Sequence, residues 1–154
     1  MKAVLQRVLE SKVVVDGETV GECGRGLLIL VGVEKGDEKL DAELLCDKIL
    51  KLRIFEDENE KMNLPVTDVG GGALVVSNFT LLAAYRKGNR PDYMNSASPA
   101  DANALYEYFR DLLAEKIPTG SGVFGADMKV HMIGDGPVTI HMDSRVLKRE
   151  RPEF

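Results

Sequence analysis

The chain has 154 residues, of which 44% are hydrophobic and 29% are charged, and its formal net charge is −5. This length and composition are typical of one globular domain, and no repeat or linker indicates a second, so we treat residues 1–154 as a single domain. The acidic charge argues against broad electrostatic binding to duplex nucleic acid, which requires many phosphate contacts. A small contact with a nucleic-acid end remains compatible with it.

No segment is typical of a membrane protein or an exported one. The longest apolar run, residues 27–31, is far shorter than the roughly 20 residues that a membrane-spanning helix needs. Gln6 and Arg7 interrupt the N-terminal apolar residues, which argues against a signal peptide. Cys23 and Cys46 form no CxxC motif, as expected of two reduced thiols. We therefore expect a cytoplasmic protein without a membrane partner.

The first part of the chain has the patterns of strands. Residues 2–9 and 11–15 predict two strands, and the Asp16-Gly17 step predicts a tight hairpin turn after them. The nearly unbroken apolar run 27–33 predicts a central strand that is covered on both faces.

Two amphipathic helices of about four turns each are predicted. Asp37 can cap the first helix, while Ser98 can cap the second, with Pro99 at its first position. Pro118 and Gly120 end the second helix. The apolar residues at helical spacing are Leu40, Leu44, Leu45, Ile49 and Leu50 in the first helix, and Leu105, Tyr108, Phe109, Leu112 and Leu113 in the second.

The remaining strands complete the predicted sheet. Residues 54–55 predict a short strand, and residues 73–76 predict a buried strand that follows a turn of three glycines. Residues 126–133 and 138–142 predict a last pair of strands around a glycine-proline turn at 134–137. Strands and helices do not alternate regularly. We therefore predict an α/β fold in which a largely antiparallel or barrel-like sheet is covered by the two helices.

The sequence lacks the usual motifs of hydrolases and metal enzymes. It contains neither a G-x-S-x-G nucleophile motif nor an HExxH metal motif. The two histidines, His131 and His141, flank the predicted turn and would face each other across the hairpin, but no third metal ligand accompanies them. We therefore expect neither a metal nor a cofactor.

Two polar segments next to apolar strands form the candidate site. Residues 77–80, Ser-Asn-Phe-Thr, supply hydroxyls and an amide for a small polar substrate, with Phe79 as an apolar wall. Residues 136–139, Gly-Pro-Val-Thr, place proline beside a β-prone run, although proline has no backbone N–H and fits poorly inside a sheet. Taken separately, each segment is also compatible with a purely structural turn.

Together the two segments resemble the paired motifs of the D-aminoacyl-tRNA deacylase (D-tyrosyl-tRNA deacylase) family, Ser-Gln-x-Thr-Leu and Asn-x-Gly-Pro-Val-Thr. The resemblance covers essentially the whole chain and includes, in order, the stretches LQRV, GLLILVGVEKGD, RIFEDENEKMNL, RKGNRP, ALYEYF and GVFGADMKV. Asn78 stands where the family usually has glutamine, and Gly134 where it usually has asparagine. Asn78 keeps the amide on a side chain one methylene shorter, and Gly134 has no side chain, which shifts or removes contacts made there.

The resemblance implies hydrolysis of the ester that joins a D-amino acid to the terminal ribose of tRNA. The partners it implies are the aminoacyl-tRNA 3′ end and a second copy of the chain in a homodimer, without metal or cofactor. It further implies that the Gly136-Pro137 bond is cis and reaches into the active site of the other subunit. The carbonyls of Gly136 and Pro137 would then exclude L-residues by steric clash, whereas D-aminoacyl and glycyl esters fit.

The same resemblance implies roles for residues 77–80. Thr80 would act either as a nucleophile or as an orienting group, and we favour orientation because no histidine or lysine is assigned beside it. Ser77 and Phe79 would line the pocket for the terminal adenosine and the amino acid, and Asn78 would contact substrate. Backbone N–H groups around Phe79 and Thr80 are candidates for stabilising the oxyanion, and the resemblance implies that the ribose 2′-hydroxyl of the tRNA takes part.

Two clusters of basic residues stand out from the acidic chain. Arg86, Lys87 and Arg90 follow Thr80 closely, and we expect them to contact phosphates of the tRNA end. A basic cluster alone is more typical of a solvated face. The second cluster consists of Arg145, Lys148, Arg149 and Arg151.

Two other functions remain open from the sequence. One is a non-catalytic RNA-end or nucleotide-binding module of the same fold, which would release neither D- nor L-amino acids from tRNA. The other is a general esterase that uses Thr80, which would hydrolyse simple esters with weak stereochemical preference.

Overall fold

The fold comes from a computed structural model that describes residues 1–148, so Arg149 and Arg151 of the second basic cluster lie outside the described residues. The strands in this part of the chain are β1 (Lys2–Val15), β2 (Glu18–Cys23), β3 (Gly26–Gly32), β4 (Phe55–Glu56), β5 (Met62–Leu64), β6 (Gly72–Ser77), β7 (Thr119–Ser121) and β8 (Lys129–Asp143). The helices are α1 (Lys39–Lys51), α2 (Pro99–Ala114) and α3 (Ser144–Lys148), and a 3₁₀ turn spans Phe79–Leu82.

Strand β1 is paired along both of its edges. Strand β8 runs antiparallel to it along one edge for nearly its full length, while β3 and then β2 pair antiparallel with the other edge. Strands β6 and β7 extend the sheet beyond β3 in parallel pairing. The hairpin predicted at Asp16-Gly17 is confirmed between β1 and β2, but residues 2–15 form one strand instead of two.

The sheet curls until β2 approaches β7. A β-carbon on Gly120 of β7 would lie 2.6 Å from the backbone oxygen of Glu22 in β2, which is far inside van der Waals contact. Glycine therefore permits a backbone approach that any side chain would block. The result is a nearly closed sheet with mostly antiparallel pairing, which confirms the predicted fold class.

The core consists of two apolar layers on opposite faces of this sheet. Strand β3 contributes to both, with Leu27 in the layer under the helices and Leu28 in the layer inside the curl, as the unbroken apolar run predicted. The helices cover their layer with the buried residues Ala42, Leu45, Cys46, Ile49, Tyr106, Phe109 and Leu113. The layer inside the curl contains Val8, Val13, Leu28, Leu74 and Val76.

The two helices begin near the predicted positions. Ser98 caps α2 as predicted, since its hydroxyl accepts a hydrogen bond from the Asp101 N–H at 3.3 Å. The prediction for α1 was wrong, because Glu38 is the capping residue. Asp37 instead accepts a hydrogen bond from the Glu34 N–H and lies 2.8 Å from the α-amino group of Met1.

Leu40 also departs from its predicted place. It lies in the first turn of α1 and is 46% exposed, although its spacing predicted a core position. The buried side of α1 is instead formed by Ala42, Leu45, Cys46 and Ile49.

The hairpin predicted around Gly136 and Pro137 is wrong. Residues 129–143 form one strand, and both of its halves pair with β1. Thr139 pairs with Gln6 and Gly134 with Val8, so the four residues 135–138 bulge out opposite the single residue between those positions.

The two histidines consequently do not face each other. His131 pairs with Lys12 and His141 with Val4. Those two positions are eight steps apart along β1, which corresponds to roughly 26 Å in an extended strand.

A buried polar network joins α1 to α3. Asp41 is fully buried, and its carboxylate accepts hydrogen bonds from the Ser144 hydroxyl at 2.6 Å and from Lys148 at 2.9 Å. Burial alone would raise the pKa of Asp41, but the hydrogen bonds from Ser144, the Glu38 N–H and Lys148 outweigh it and hold that pKa below its usual value. The ionised carboxylate therefore stabilises the packing of α3 against α1.

We expect Asp41→Asn to lower the free energy of unfolding by about 1–3 kcal/mol at pH 7, because hydrogen bonds to a buried charged acceptor are lost. A lowered carboxyl pKa stabilises the fold above the unfolded pKa of about 3.9, and this contribution is lost as the pH falls through the folded pKa. The gap between wild type and variant should therefore be the same at pH 7 and 5 and begin to narrow as the pH falls below about 4. Urea unfolding at pH 7, 5 and 3 measures it.

The matched control is Asp47→Asn, on the exposed side of the same helix, where the pair with Lys51 is solvated. This change should alter stability by less than about 0.5 kcal/mol. Equal losses in the two variants, or a gap that widens on acidification, would contradict the role given to Asp41.

Candidate active site

A cavity of about 500 Å³ lies where the parallel strands β3 and β6 end. Val31 and Val33 border it from β3 and the residues after it, and Ser77 and Asn78 border it from the end of β6. Its other lining residues are Phe79, Ala97, Pro99, Ala102, Tyr106, Phe124, Gly125, Ala126 and Met128. The volume and the mainly apolar lining, with a few polar groups at one end, are typical of a small-molecule pocket.

Three residues of the predicted segment 77–80 line this cavity. Strand β6 ends at Ser77, and the chain turns at Asn78 into the 3₁₀ turn that begins with Phe79. The Phe79 ring is 58% exposed and packs edge-on against Tyr93, with the ring centroids 5.0 Å apart. The structure thus brings Ser77, Asn78 and Phe79 together at one pocket.

Thr80 is placed differently from its predicted neighbours. It is exposed and does not line the cavity, but two hydrogen bonds tie it to Asn78, which does. The Thr80 N–H donates to Asn78 Oδ1 at 3.2 Å, and the Thr80 hydroxyl donates to the same oxygen.

The cavity offers no acid–base group among its lining residues, all of which lie within residues 1–148. No carboxylate, imidazole, amine or thiol is present there. Tyr106 is the one phenol, and it is committed, since its hydroxyl donates to the Val75 carbonyl at 2.9 Å and burial raises its pKa. The pocket can therefore position a substrate, but it supplies no ionised side chain to activate water.

The predicted Gly136-Pro137 step lies away from this cavity. The bond is cis, and both residues are exposed on the bulge of β8. Gly136 has φ +134°, and a β-carbon there would lie 2.7 Å from the Val138 nitrogen, so the position requires glycine.

The distance from the bulge to the cavity follows from the strand register. Ser77 of β6 pairs with Val31 of β3, which in turn pairs with Ala3 of β1. The bulge lies opposite Arg7 of β1 and belongs to β8, which is three strands away from β6. The separation is about 13 Å along the strands and about 14 Å across them. Gly136 and Pro137 therefore do not line the pocket of their own chain.

Arg7 holds the bulge in place. Its side chain is 5% exposed, and its guanidinium donates to the carbonyls of Asp135 at 3.1 Å and Ile54 at 2.9 Å. It also lies 3.3 Å from the Asp135 carboxylate. A buried guanidinium with several fixed acceptors defines the backbone path that leads into Gly136.

The basic residues 86, 87 and 90 lie on an exposed loop beyond the 3₁₀ turn. An isolated bridge between Ala84 and Asp92 closes this loop, next to Tyr93, which packs on Phe79. None of the three basic side chains forms an ion pair with another described residue. Within residues 1–148 there is also no cluster of three or more potential metal ligands, and no helix long and apolar enough to cross a membrane.

Comparison with known proteins decides the family. The D-Tyr-tRNA(Tyr) deacylase family model matches residues 4–143. The chain is 53% identical over 146 residues to a D-aminoacyl-tRNA deacylase of Geobacter sulfurreducens, covering 94% of this chain and 96% of that one. The chain belongs to the D-aminoacyl-tRNA deacylase family. The Haemophilus influenzae member is 52% identical over 143 residues, 93% of this chain and 99% of that one.

Solved structures agree with the fold. A structure described as c-Myc DNA Unwinding Element Binding Protein has a TM-score of 0.86 at 40% identity, covering 93% of this chain and 98% of that one. A probable eukaryotic D-amino acid tRNA deacylase has a TM-score of 0.72 at 17% identity, covering 92% of this chain and 97% of that one, and supports the fold alone. As a D-aminoacyl-tRNA deacylase, the chain is a hydrolase of the ester between a D-amino acid and tRNA.

Several residues of the candidate site and of the bulge have no predicted role in the sequence. Tyr106 lies between two predicted core positions and has no signal of its own. Phe124, Gly125, Ala126 and Met128 of the cavity wall fall in a stretch that only its resemblance to the family distinguishes. Arg7 had a usable signal, since it is a charged residue between the buried Leu5 and Val8 of one strand. A charge at a buried strand position requires partners, which here belong to the bulge and to the residues before β4.

We expect Arg7→Met to lower the free energy of unfolding by about 2 kcal/mol, because the buried Ile54 carbonyl and the part-buried Asp135 carbonyl lose their donor. The control is Arg53→Met, an exposed arginine that donates to the Asn63 carbonyl at 2.7 Å, where water can replace the guanidinium. Urea unfolding of both variants tests the difference. Equal stability losses would show that Arg7 does not organise the bulge.

Proposed function

We propose that the deacylase acts as a homodimer in which the Gly136-Pro137 bulge of one copy completes the pocket of the other. The observation that carries this proposal is the separation between two features of one chain. Apart from the aromatic residues, Ser77 and Asn78 are the only residues with polar side chains among the described residues that line the pocket. The Gly136-Pro137 bulge, which is rigidly held, is exposed and lies far from this pocket in the same chain. A second copy, related by a twofold axis, allows each bulge to meet the other pocket.

The surface beside the bulge supports contact with a second copy. Leu9 on β1 and Ile133 on β8 are 52% and 49% exposed, and Val130 and Met132 are also exposed large apolar residues. They lie on or beside a groove of about 1200 Å³ formed by β1, β2, β8 and the segments next to them. Exposed apolar side chains grouped along a strand are typical of a protein interface.

Selection between enantiomers follows from the backbone of the bulge. In the complete site, the carbonyls of Gly136 and Pro137 face the α-carbon of the bound aminoacyl group. An L-side chain collides with them, whereas a D-side chain points away and is accepted whatever its chemistry. Glycine has no side chain to exclude, so glycyl-tRNA is hydrolysed as well.

Catalysis in this site depends on positioning and on the activated ester. Ser77 and Phe79 line the pocket for the terminal adenosine and the amino acid, and Thr80 orients substrate and water. Because the Thr80 N–H is already bonded to Asn78, the Phe79 N–H is the better placed donor for the developing oxyanion. The ribose 2′-hydroxyl of the tRNA supplies the reactive group that the pocket lacks.

The chain contacts only the 3′ end of the tRNA, which suits its net charge of −5. Arg86, Lys87 and Arg90 bind phosphates next to the pocket, and Asn78 contacts the substrate directly. Translation takes place in the cytoplasm, and the two free thiols, Cys23 and Cys46, suit that reducing compartment.

The shared site is tested by combining two inactive variants. Gly136→Val disrupts the bulge, and Ala126→Trp fills the pocket from its loop side. We expect each alone to lose hydrolysis of D-tyrosyl-tRNA, and an equimolar mixture refolded together to regain about a quarter of wild-type activity. This follows because half of the dimers are mixed, and each mixed dimer has one intact site of two.

Wild type taken through the same refolding is the control for recovery, and L-tyrosyl-tRNA is the control substrate. A mixture that stays inactive would reject the shared site. Equal rates on D- and L-tyrosyl-tRNA would favour a general esterase, and turnover of neither would favour a binding module.

Reversing the charges of Arg86, Lys87 and Arg90 to glutamate should raise KM for D-tyrosyl-tRNA and leave kcat nearly unchanged. The dependence of log(kcat/KM) on log[salt] should also flatten by about 2, since each single-strand phosphate contact contributes about 0.7. The matched control reverses the three exposed lysines of α1, which preserves the change in net charge. Identical salt slopes in the two triple variants would show that the loop makes no phosphate contacts.

A further inference from the structure

We propose that Asn78 is a positioning residue that fixes the hydroxyl proton of Thr80 and thereby presents Thr80 Oγ1 to the reaction as a hydrogen-bond acceptor. This inference rests on the proposed function and assigns the same site a more specific arrangement. It concerns Asn78 at the start of the 3₁₀ turn, where the side chain folds back over the two following residues.

The geometry determines which atom of the Asn78 amide faces Thr80. A backbone N–H can only donate, and the Thr80 N–H points to the amide at 3.2 Å, so the atom that it meets is the carbonyl oxygen. The Thr80 hydroxyl approaches the same oxygen and must donate its proton to it. Two donors on one acceptor thus fix both the amide orientation and the direction of the hydroxyl proton.

This arrangement decides what Thr80 can offer to a substrate. A hydroxyl has one proton and two lone pairs, and here the proton is directed at Asn78. The lone pairs of Oγ1 remain for the O–H group of an attacking water or of the substrate ribose. Thr80 therefore orients that O–H group by accepting a hydrogen bond from it.

The same contact argues against a Thr80 nucleophile. Attack by a hydroxyl requires a neighbouring base that takes its proton, usually histidine, lysine or an N-terminal amine. An amide oxygen does not accept a proton at neutral pH. Among the described residues, the hydroxyl of Thr80 is bonded only to this amide.

The length of the side chain matters for this role. Asparagine reaches the N–H two residues ahead through the short ring of an Asx turn. Glutamine, which the family usually has here, carries one more methylene and cannot close the same ring. The short Asx turn between residues 78 and 80 therefore depends on asparagine at position 78 of this chain.

The test is a double-variant cycle with shape-matched substitutions. Asn78→Leu removes the acceptor, and Thr80→Val removes the hydroxyl. We expect each to lower kcat on D-tyrosyl-tRNA by a similar factor, on the order of a hundredfold, because the oriented O–H group is lost in both. Only Asn78→Leu should also raise KM, since Asn78 lines the pocket and contacts the substrate, whereas Thr80 does not line it. The double variant should be no slower than either single one, since the two residues act as a unit.

Rescue separates positioning from simple folding support. Asn78→Asp keeps an acceptor oxygen at the same place and should retain kcat within a few-fold of wild type. Asn78→Asp and Asn78→Leu should have the same melting temperature, so that their difference in kcat does not come from a difference in stability. The control Asn63→Leu removes an amide remote from the pocket and should leave kcat unchanged. Thr80→Val should keep turnover above the uncatalysed rate, and mass spectrometry of acid-quenched wild type should find no acyl-enzyme.

Three results would overturn the inference while the proposed function stands. These are additive losses in the double variant, an unchanged kcat in Asn78→Leu, and complete loss of turnover in Thr80→Val with an acyl-enzyme found in wild type. Failure of wild type to release D-tyrosine from tRNA would instead reject the proposed function, and this inference with it.

Discussion

The pairing of β8 with β1 is the constraint on which the bulge, and with it the proposed shared site, depends. Strand β1 is bonded on both edges, so β8 must follow its register on either side of Arg7. The four residues 135–138 have one residue opposite them and are displaced outwards. Arg7, buried under this bulge, holds the Asp135 carbonyl. A Gly-Pro step that would weaken an ordinary strand thus becomes a rigid, exposed element.

The pocket is set by a different part of the same sheet. Strands β3 and β6 are parallel, so their carboxyl ends lie side by side and deliver Val31 and Ser77 to one edge. Helix α2 and the loop 124–128 close the pocket with apolar side chains. The candidate site is therefore built on the ends of paired strands. The groups that it offers to a substrate are backbone atoms and a few uncharged polar side chains. Such a site suits a substrate that is already reactive and requires only selection and orientation.

The part of the candidate site that lines the cavity could be predicted from the sequence because it follows from local patterns. The apolar run 73–76 predicted a buried strand, and the polar residues after it lie at a pocket as their position suggested. Ser98 and Pro99 marked the start of α2 correctly, since capping depends on residues within one turn. The errors at Asp37 and at the 134–137 turn have the opposite cause. Asp37 forms an ion pair with the α-amino group of Met1. The conformation of residues 134–137 depends on pairing with β1, a strand more than a hundred residues earlier in the chain.

The sequence by itself determined the elements whose signal is local: the hairpin at Asp16-Gly17, the two-sided strand β3 and the polar end of β6. Only the tertiary structure decided that Tyr106 and the loop 124–128 complete the pocket, that Arg7 supports the bulge, and that Gly136 and Pro137 lie away from the pocket of their own chain. Hydrophobic period and turn chemistry act over a few residues and can be read directly. Contacts between distant segments depend on the strand register and on the ion pairs and hydrogen bonds that buried charged groups form. Both are defined only in the folded chain.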